Sequence, residues 1–122
     1  MPQLTIEEMK QLAGGVAGTQ PSIFGCFVGK YCICRASGAG VHAGRVKAVQ
    51  PNGQGTHSVV LSNARRMWSW QAKSGVALSG AAANGIERSK SKIDTLIAEH
   101  AIDGVCEIIP CTSVGEESIH GA

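Results

Sequence analysis

The residues best suited to chemistry fall in one run, Asn63-Ala64-Arg65-Arg66-Met67-Trp68-Ser69-Trp70-Gln71-Ala72-Lys73. Side chains on a strand alternate between faces. Arg65 and Arg66 would therefore send one guanidinium to each side, with Arg66 on the face of Trp68 and Trp70, and Arg65 on that of Met67 and Ser69. Guanidinium is a planar fork that matches phosphate oxygens bidentately. An indole ring stacks on a base for about 1–3 kcal/mol in nucleic-acid sites. A nucleotide carries both a phosphate and a π-face, and so suits the combination. The competing reading makes the two tryptophans core, since a chain with five aromatics has few others to use. Supporting ligand contacts are expected from Arg35, His42, Arg45, Asn63 and Lys73. Arg35 and Arg45 would join the patch if the turn beginning at Ser37 makes a hairpin.

The charge distribution points the same way. Between Met9 and Ile86 there is no acid, but there are eight bases: Lys10, Lys30, Arg35, Arg45, Lys47, Arg65, Arg66 and Lys73. From Arg88 onward there are three bases and six acids. Such segregation favours a positive surface that attracts anions. The alternative is that the C-terminal acids fold back onto these bases. Six acids cannot cancel eight bases, however, and exposed pairs are weak. A net charge of +2 without long basic tracks disfavours polymeric nucleic acid and favours a small anion in a localised pocket.

Signatures of catalysis are missing. The chain has no G-x-S-x-G, no Walker loop, no H-E-x-x-H and no paired carboxylates in its central region. Acid–base work would fall to His42, His57, His100 or a cysteine, and a histidine-dependent phosphodiesterase stays open on that basis. His42 is equally explained as an edge histidine bonded to backbone. Cys32 and Cys34 are spaced C-x-C with no second pair at a finger-like distance, so neither a zinc site nor another cofactor is expected. On a strand these two thiols share a face and serve as core. The opening segment lacks a secretory pattern, and no stretch approaches the ~18 apolar residues of a membrane span. A cytoplasmic protein with reduced thiols is expected.

Positioning these groups requires a mostly β scaffold of the α+β kind. Thr5-Ile6-Glu7-Glu8 has the form of a capping box, followed by Ile6, Met9 and Leu12 at helical spacing. Residues 1–25 are thus expected to be an N-terminal helix and linker, and residues 26–122 a single β-rich domain. Strands are expected over residues 30–36, 41–49, 57–62, 64–71 and 104–111. Asn52-Gly53 marks a hairpin, and an Ala-rich helix covers residues 76–84. Residues 87–92 form a polar connection. Ile93, Leu96, Ile97 and Ala101 recur at helical spacing, and the tail from Ser113 is loose. The sum is a small barrel or bent antiparallel sheet with a short N-terminal helix and one or two inserted helices. With 16% charged residues and 16 glycines, the composition leans toward a homo-oligomer.

Taken together, G-K-Y-C-I-C-R, G-V-H-A-G, V-V-L-S-N-A-R-R-M-W-S-W and E-I-I-P-C-T resemble a family of small phage-encoded proteins, over residues 29–112. G-V-H-x-G and N-A-R-R-x-W-x-W are its most specific runs. The family is identified as the first Thoeris anti-defence group of phage sponges. That resemblance implies an oligomer that sequesters cyclic ADP-ribose derivatives, or cyclic oligonucleotides, used as immune signals in the host cytosol, without cleaving them. The alternatives are a phage inhibitor that binds a host protein through its basic surface, and a nucleic-acid-binding regulator.

Overall fold

The computed structural model describes residues 23–122, so the expected N-terminal helix lies outside the described residues. After a 3₁₀ turn at Ile23–Phe27 come β1 (Tyr31–Ala36), β2 (Gly40–Pro51) and β3 (His57–Ser69). Helix α1 (Leu78–Asn84), a 3₁₀ turn at Arg88–Lys90, β4 (Lys92–Ile93), β5 (Ile97–Pro110) and helix α2 (Ser113–His120) follow. The fold is mostly β, as expected. All strand pairs are antiparallel in the order β2-β1-β5-β3-β4, and β2 also pairs with β3. Strands β1, β2, β3 and β5 are thereby linked in a ring of hydrogen bonds.

Two apolar clusters use opposite faces of these strands. Cys32, Cys34, Val46, Leu61, Ala64, Ile102 and Val105 come from all four ring strands and form one cluster. Tyr31, Ile33, Ala43 and Met67 form the other, covered by Leu78, Ala81 and Ala82 of α1 and Ile119 of α2. Alternate residues of β1 feed each cluster, so this strand is buried on both sides. The two thiols of the C-x-C pair are fully buried. Burial pushes Cys32 up to about 11 and Cys34 up to about 12, so both stay protonated.

Three expectations about elements need correction. Residues 57–62 and 64–71 are not two strands: β3 runs continuously to Ser69 and bends at Asn63, whose φ is +51°. The helical spacing of Ile97 and Ala101 belongs to the long strand β5. Register shifts against β3 between His57 and Val59, and against β1 between Arg35 and Ala36, with Gly104 at φ +76°, space its buried residues by three at Ile102, Val105 and Ile108. The tail from Ser113 is helix α2. Its first turn is capped by the Thr112 hydroxyl, which accepts from the Gly115 amide at 3.1 Å.

The C-terminal end of α2 is held by two arginines. Arg88 donates through Nε to Ser118 O at 3.0 Å and through Nη2 to Glu117 O at 2.9 Å. Arg65 donates through Nη1 to His120 O at 3.1 Å and to Ala122 O. These bonds add donors at the carbonyl end of α2 and place positive charge at its negative end.

Candidate functional site

The central bases divide by what they touch. Arg35 pairs with Glu107 at 2.7 Å, Arg45 with Glu116 at 2.6 Å, and Lys47 with Glu99. Arg45 also donates to Gly29 O at 2.9 Å. Acids of β5 and α2 thus fold back onto the bases, the alternative left open by the charge pattern. Lys30 lies over the Phe27 ring, its nitrogen 5.9 Å from the centroid. Arg65 is tied to backbone: besides its α2 contacts, Nε donates to Asp94 O at 2.7 Å. Among the described residues, the side chains of Arg66 and Lys73 make no hydrogen bond or ion pair; Lys10 lies outside the described residues.

The two adjacent arginines therefore have different roles. Arg65 points toward the end of α2. Arg66 stands opposite His42 in the β2–β3 ladder, where directly opposed residues share a face.

Arg66 lines a cleft of about 390 Å³ with Gly38, Ala39, Gly40, Val41, Met67, Trp68 and Trp70. The floor is the end of β3, and one wall is the turn joining β1 to β2. Trp68 is 70% exposed. Trp70 follows a register shift between Met67 and Ser69 and packs against the cluster containing Met67. Strict alternation therefore fails at the end of β3. Trp70 is held by the core, whereas Trp68 offers a free ring face beside an unpaired guanidinium.

The other expected contacts do not all converge here. Arg35 is in register with Val41 and Arg45 with Tyr31, so the hairpin forms but holds these residues at its two ends, about 13 Å apart along the strand. Asn63 is exposed and serves the backbone as a left-handed residue at a bulge in β3. Lys73 lines a separate cleft of about 470 Å³ with Arg88, Ser89 and Glu117.

His42 is fully buried and its Nε2 lies 2.7 Å from Ala39 O, which is the edge-histidine arrangement weighed from sequence. It backs the cleft wall rather than lining the cleft. His42 and His100 stack edge-on with centroids 4.9 Å apart. That contact leaves no room for a phosphate between the two rings. His57 is stacked on Phe24 at 4.2 Å, and no distance places it with the other two. Among the described residues, no three His, Cys, Asp or Glu side chains are grouped to hold a metal ion.

Sequence reasoning missed the Gly38–Gly40 wall and the part played by His100. The Ser37-Gly38-Ala39-Gly40 run was legible as a turn, but nothing in it indicated what it would face.

Residues 29–119 match the family described as Domain of unknown function (DUF6948). The chain belongs to that family. The matched span begins just before β1 and ends within α2, so the hydrogen-bonded ring, α1 and the cleft all lie inside the DUF6948 domain. No curated protein and no solved structure matches the chain. Among the described residues, no helix is long and apolar enough to cross a membrane.

Proposed function

We propose that this DUF6948 domain binds a small phosphate-containing nucleotide in the Arg66–Trp68–Trp70 cleft and does not cleave it. The observation that carries the proposal is an unpaired guanidinium beside an exposed indole, with a glycine-rich turn opposite. Arg66 would take the phosphate and Trp68 would stack on the base. Arg65, tied to three backbone oxygens, would support β3 rather than the ligand. A glycine-rich wall suits close approach of a flat ligand, because no side chain intervenes. Absence of turnover is supported by the histidines: His42 is buried against His100, so neither ring is presented as an acid–base pair flanking a phosphate.

A cyclic ADP-ribose derivative or a cyclic oligonucleotide fits this chemistry, and its capture would make the protein a phage anti-defence sponge acting in the host cytosol as a homo-oligomer. The test is incubation with cyclic di- and trinucleotides and cyclic ADP-ribose isomers, followed by heat denaturation and analysis of the released material. Recovery of intact ligand is expected. Cleaved product would make the protein an enzyme. Failure to bind any member of the panel, with tight binding to a host protein, would place Trp68 in a protein interface instead.

A further inference from the structure

The turn that walls the cleft opposite Arg66 and Trp68, Gly38-Ala39-Gly40, carries no side chain larger than a methyl, and Val41 follows it into β2. Of its side chains only the Ala39 methyl reaches the core, and the β1–β2 ladder ends at the Ala36–Gly40 pair. A further hold comes from beneath, where His42 Nε2 lies 2.7 Å from Ala39 O. A carbonyl only accepts, so Nε2 carries the proton and Nδ1 is a bare acceptor. Nδ1 of His42 is buried without a partner, and so is Nδ1 of His100. The His100 ring meets His42 edge-on at an interplanar angle of 89°.

The groups that face His42 from each neighbouring element are Cys34 of β1, Arg66 of β3, His100 of β5 and the Ala39 carbonyl. None is an acid. A second proton on His42 would be buried, unbonded at Nδ1 and close to a guanidinium. A buried charge without a partner is costly, and the ring would relieve it by moving toward water, breaking its bond to the turn. Burial above all holds the His42 imidazole below the usual histidine range; the bond to Ala39 opposes it, and His100 and Arg66 add smaller lowering effects.

We infer that His42, braced by His100, is a positioning residue that helps fix the width of the nucleotide cleft by tethering the 38–40 turn, and that protonation of His42 releases the tether. Its functional meaning rests on the cleft being the ligand site. The tether itself can be tested with no ligand present.

Trp68 and Trp70 are the only tryptophans in the chain and both line the cleft, so their fluorescence reports its width directly. Acrylamide quenching of the full-length protein is measured as the pH is lowered, with far-UV circular dichroism to confirm that the fold persists. In the wild type, quenching is expected to rise sigmoidally, with a midpoint below the ordinary histidine value of about 6.5. His42→Gln keeps an amide N–H for the Ala39 carbonyl but cannot titrate, and should stay at the neutral-pH level throughout. His100→Phe keeps the edge-on ring while removing the neighbour that lowers the His42 value, and should move the midpoint upward. A flat wild-type profile, or the same titration in His42→Gln, would overturn the inference. If His42→Gln does not fold, the direction of the midpoint shift in His100→Phe decides, an unchanged midpoint counting against the tether. Because no nucleotide is added, this outcome is independent of what the cleft binds.

Discussion

Asn63 bulges from β3 opposite Gly44 of β2, and each makes the other's conformation possible. Asn63 takes φ +51°. A Cβ on Gly44 would lie 3.0 Å from Leu61 Cβ, 3.1 Å from Ala64 Cα and 3.1 Å from Ser62 O, the segment that curves around the bulge. Two of those atoms are backbone and cannot swing aside. Gly44→Ala is therefore expected to destabilise the fold by about 1–3 kcal/mol through overpacking. A lower urea midpoint with an unchanged slope would show it. Asn63→Gly should be tolerated, while Asn63→Val, a β-branched residue forced to positive φ, should cost about 1–2 kcal/mol. Equal stability of the two Asn63 variants would mean that the bend does not depend on this residue.

Arg65 and Arg66 are adjacent in sequence but should separate cleanly by mutation. Arg65→Ala removes donors from three backbone oxygens, at His120, Ala122 and Asp94. It should lower stability by about 1–2 kcal/mol, seen as a drop in Tm without loss of ligand binding beyond that due to unfolding. Arg66→Ala should leave Tm close to the wild-type value and weaken nucleotide binding at least about tenfold, a loss of ~1.4 kcal/mol. Titration calorimetry with a cyclic dinucleotide compares the two. If Arg65→Ala loses binding and Arg66→Ala does not, the phosphate lies on the α2 side of β3.

Much of this architecture was legible in the sequence because turns and alternation are local signals. Ser37-Gly38-Ala39-Gly40 and Asn52-Gly53 marked two hairpin turns, and Tyr31 to Cys34 alternated between faces that the fold fills with two separate clusters. The helix expected around Ile97 failed because its apolar residues do not form one buried face: Ile93 lies in β4, Leu96 in the connection, and Ile97 and Ala101 are exposed on β5. Helix α2 was missed because its stability comes from burying Gly115 and Ile119 against distant elements, which a short polar tail does not advertise. Part of the Arg/Trp run, Arg66 to Trp70, lines the cleft proposed as the ligand site. Which arginine stays free depends on where Glu99, Glu107 and Glu116 return, across sequence separations of 52 to 72 residues. No local pattern carries that information.

The packing of α1 against α2 is a third point of sensitivity. A Cβ on Gly115 would come within 2.0 Å of Ala82 O and 2.8 Å of Ala82 C, both backbone atoms of the facing helix. The helices cannot keep their present separation with any larger residue there. Gly115→Ala should force α2 outward, expose Ile119 and remove part of the roughly 1.5–3 kcal/mol that burying such a side chain contributes. Hydrogen exchange should show early loss of protection in α2 while the amides of β1 to β3 stay protected. Uniform protection across the variant would mean that α1 absorbs the shift.

The last prediction concerns acid. Asp103 of β5 accepts through one carboxylate oxygen from Asn52 Nδ2 at 2.9 Å and from Ser58 Oγ at 2.8 Å, clamping the β2–β3 hairpin loop to β5. These two bonds, with a further one from the Gly104 backbone, hold its carboxyl below the usual carboxylate range. A carboxyl whose pKa is lower in the folded than in the unfolded chain binds fewer protons when folded. Its stabilisation is thus fully present above its unfolded value of about 3.9, and fades as the pH falls through the folded one. Asp103→Asn cannot titrate, so the wild type should lose more stability than the variant as the pH falls from 5 into that range. Urea midpoints measured across the window check this. Parallel acid profiles for the two proteins would mean that the clamp holds equally well with its proton on.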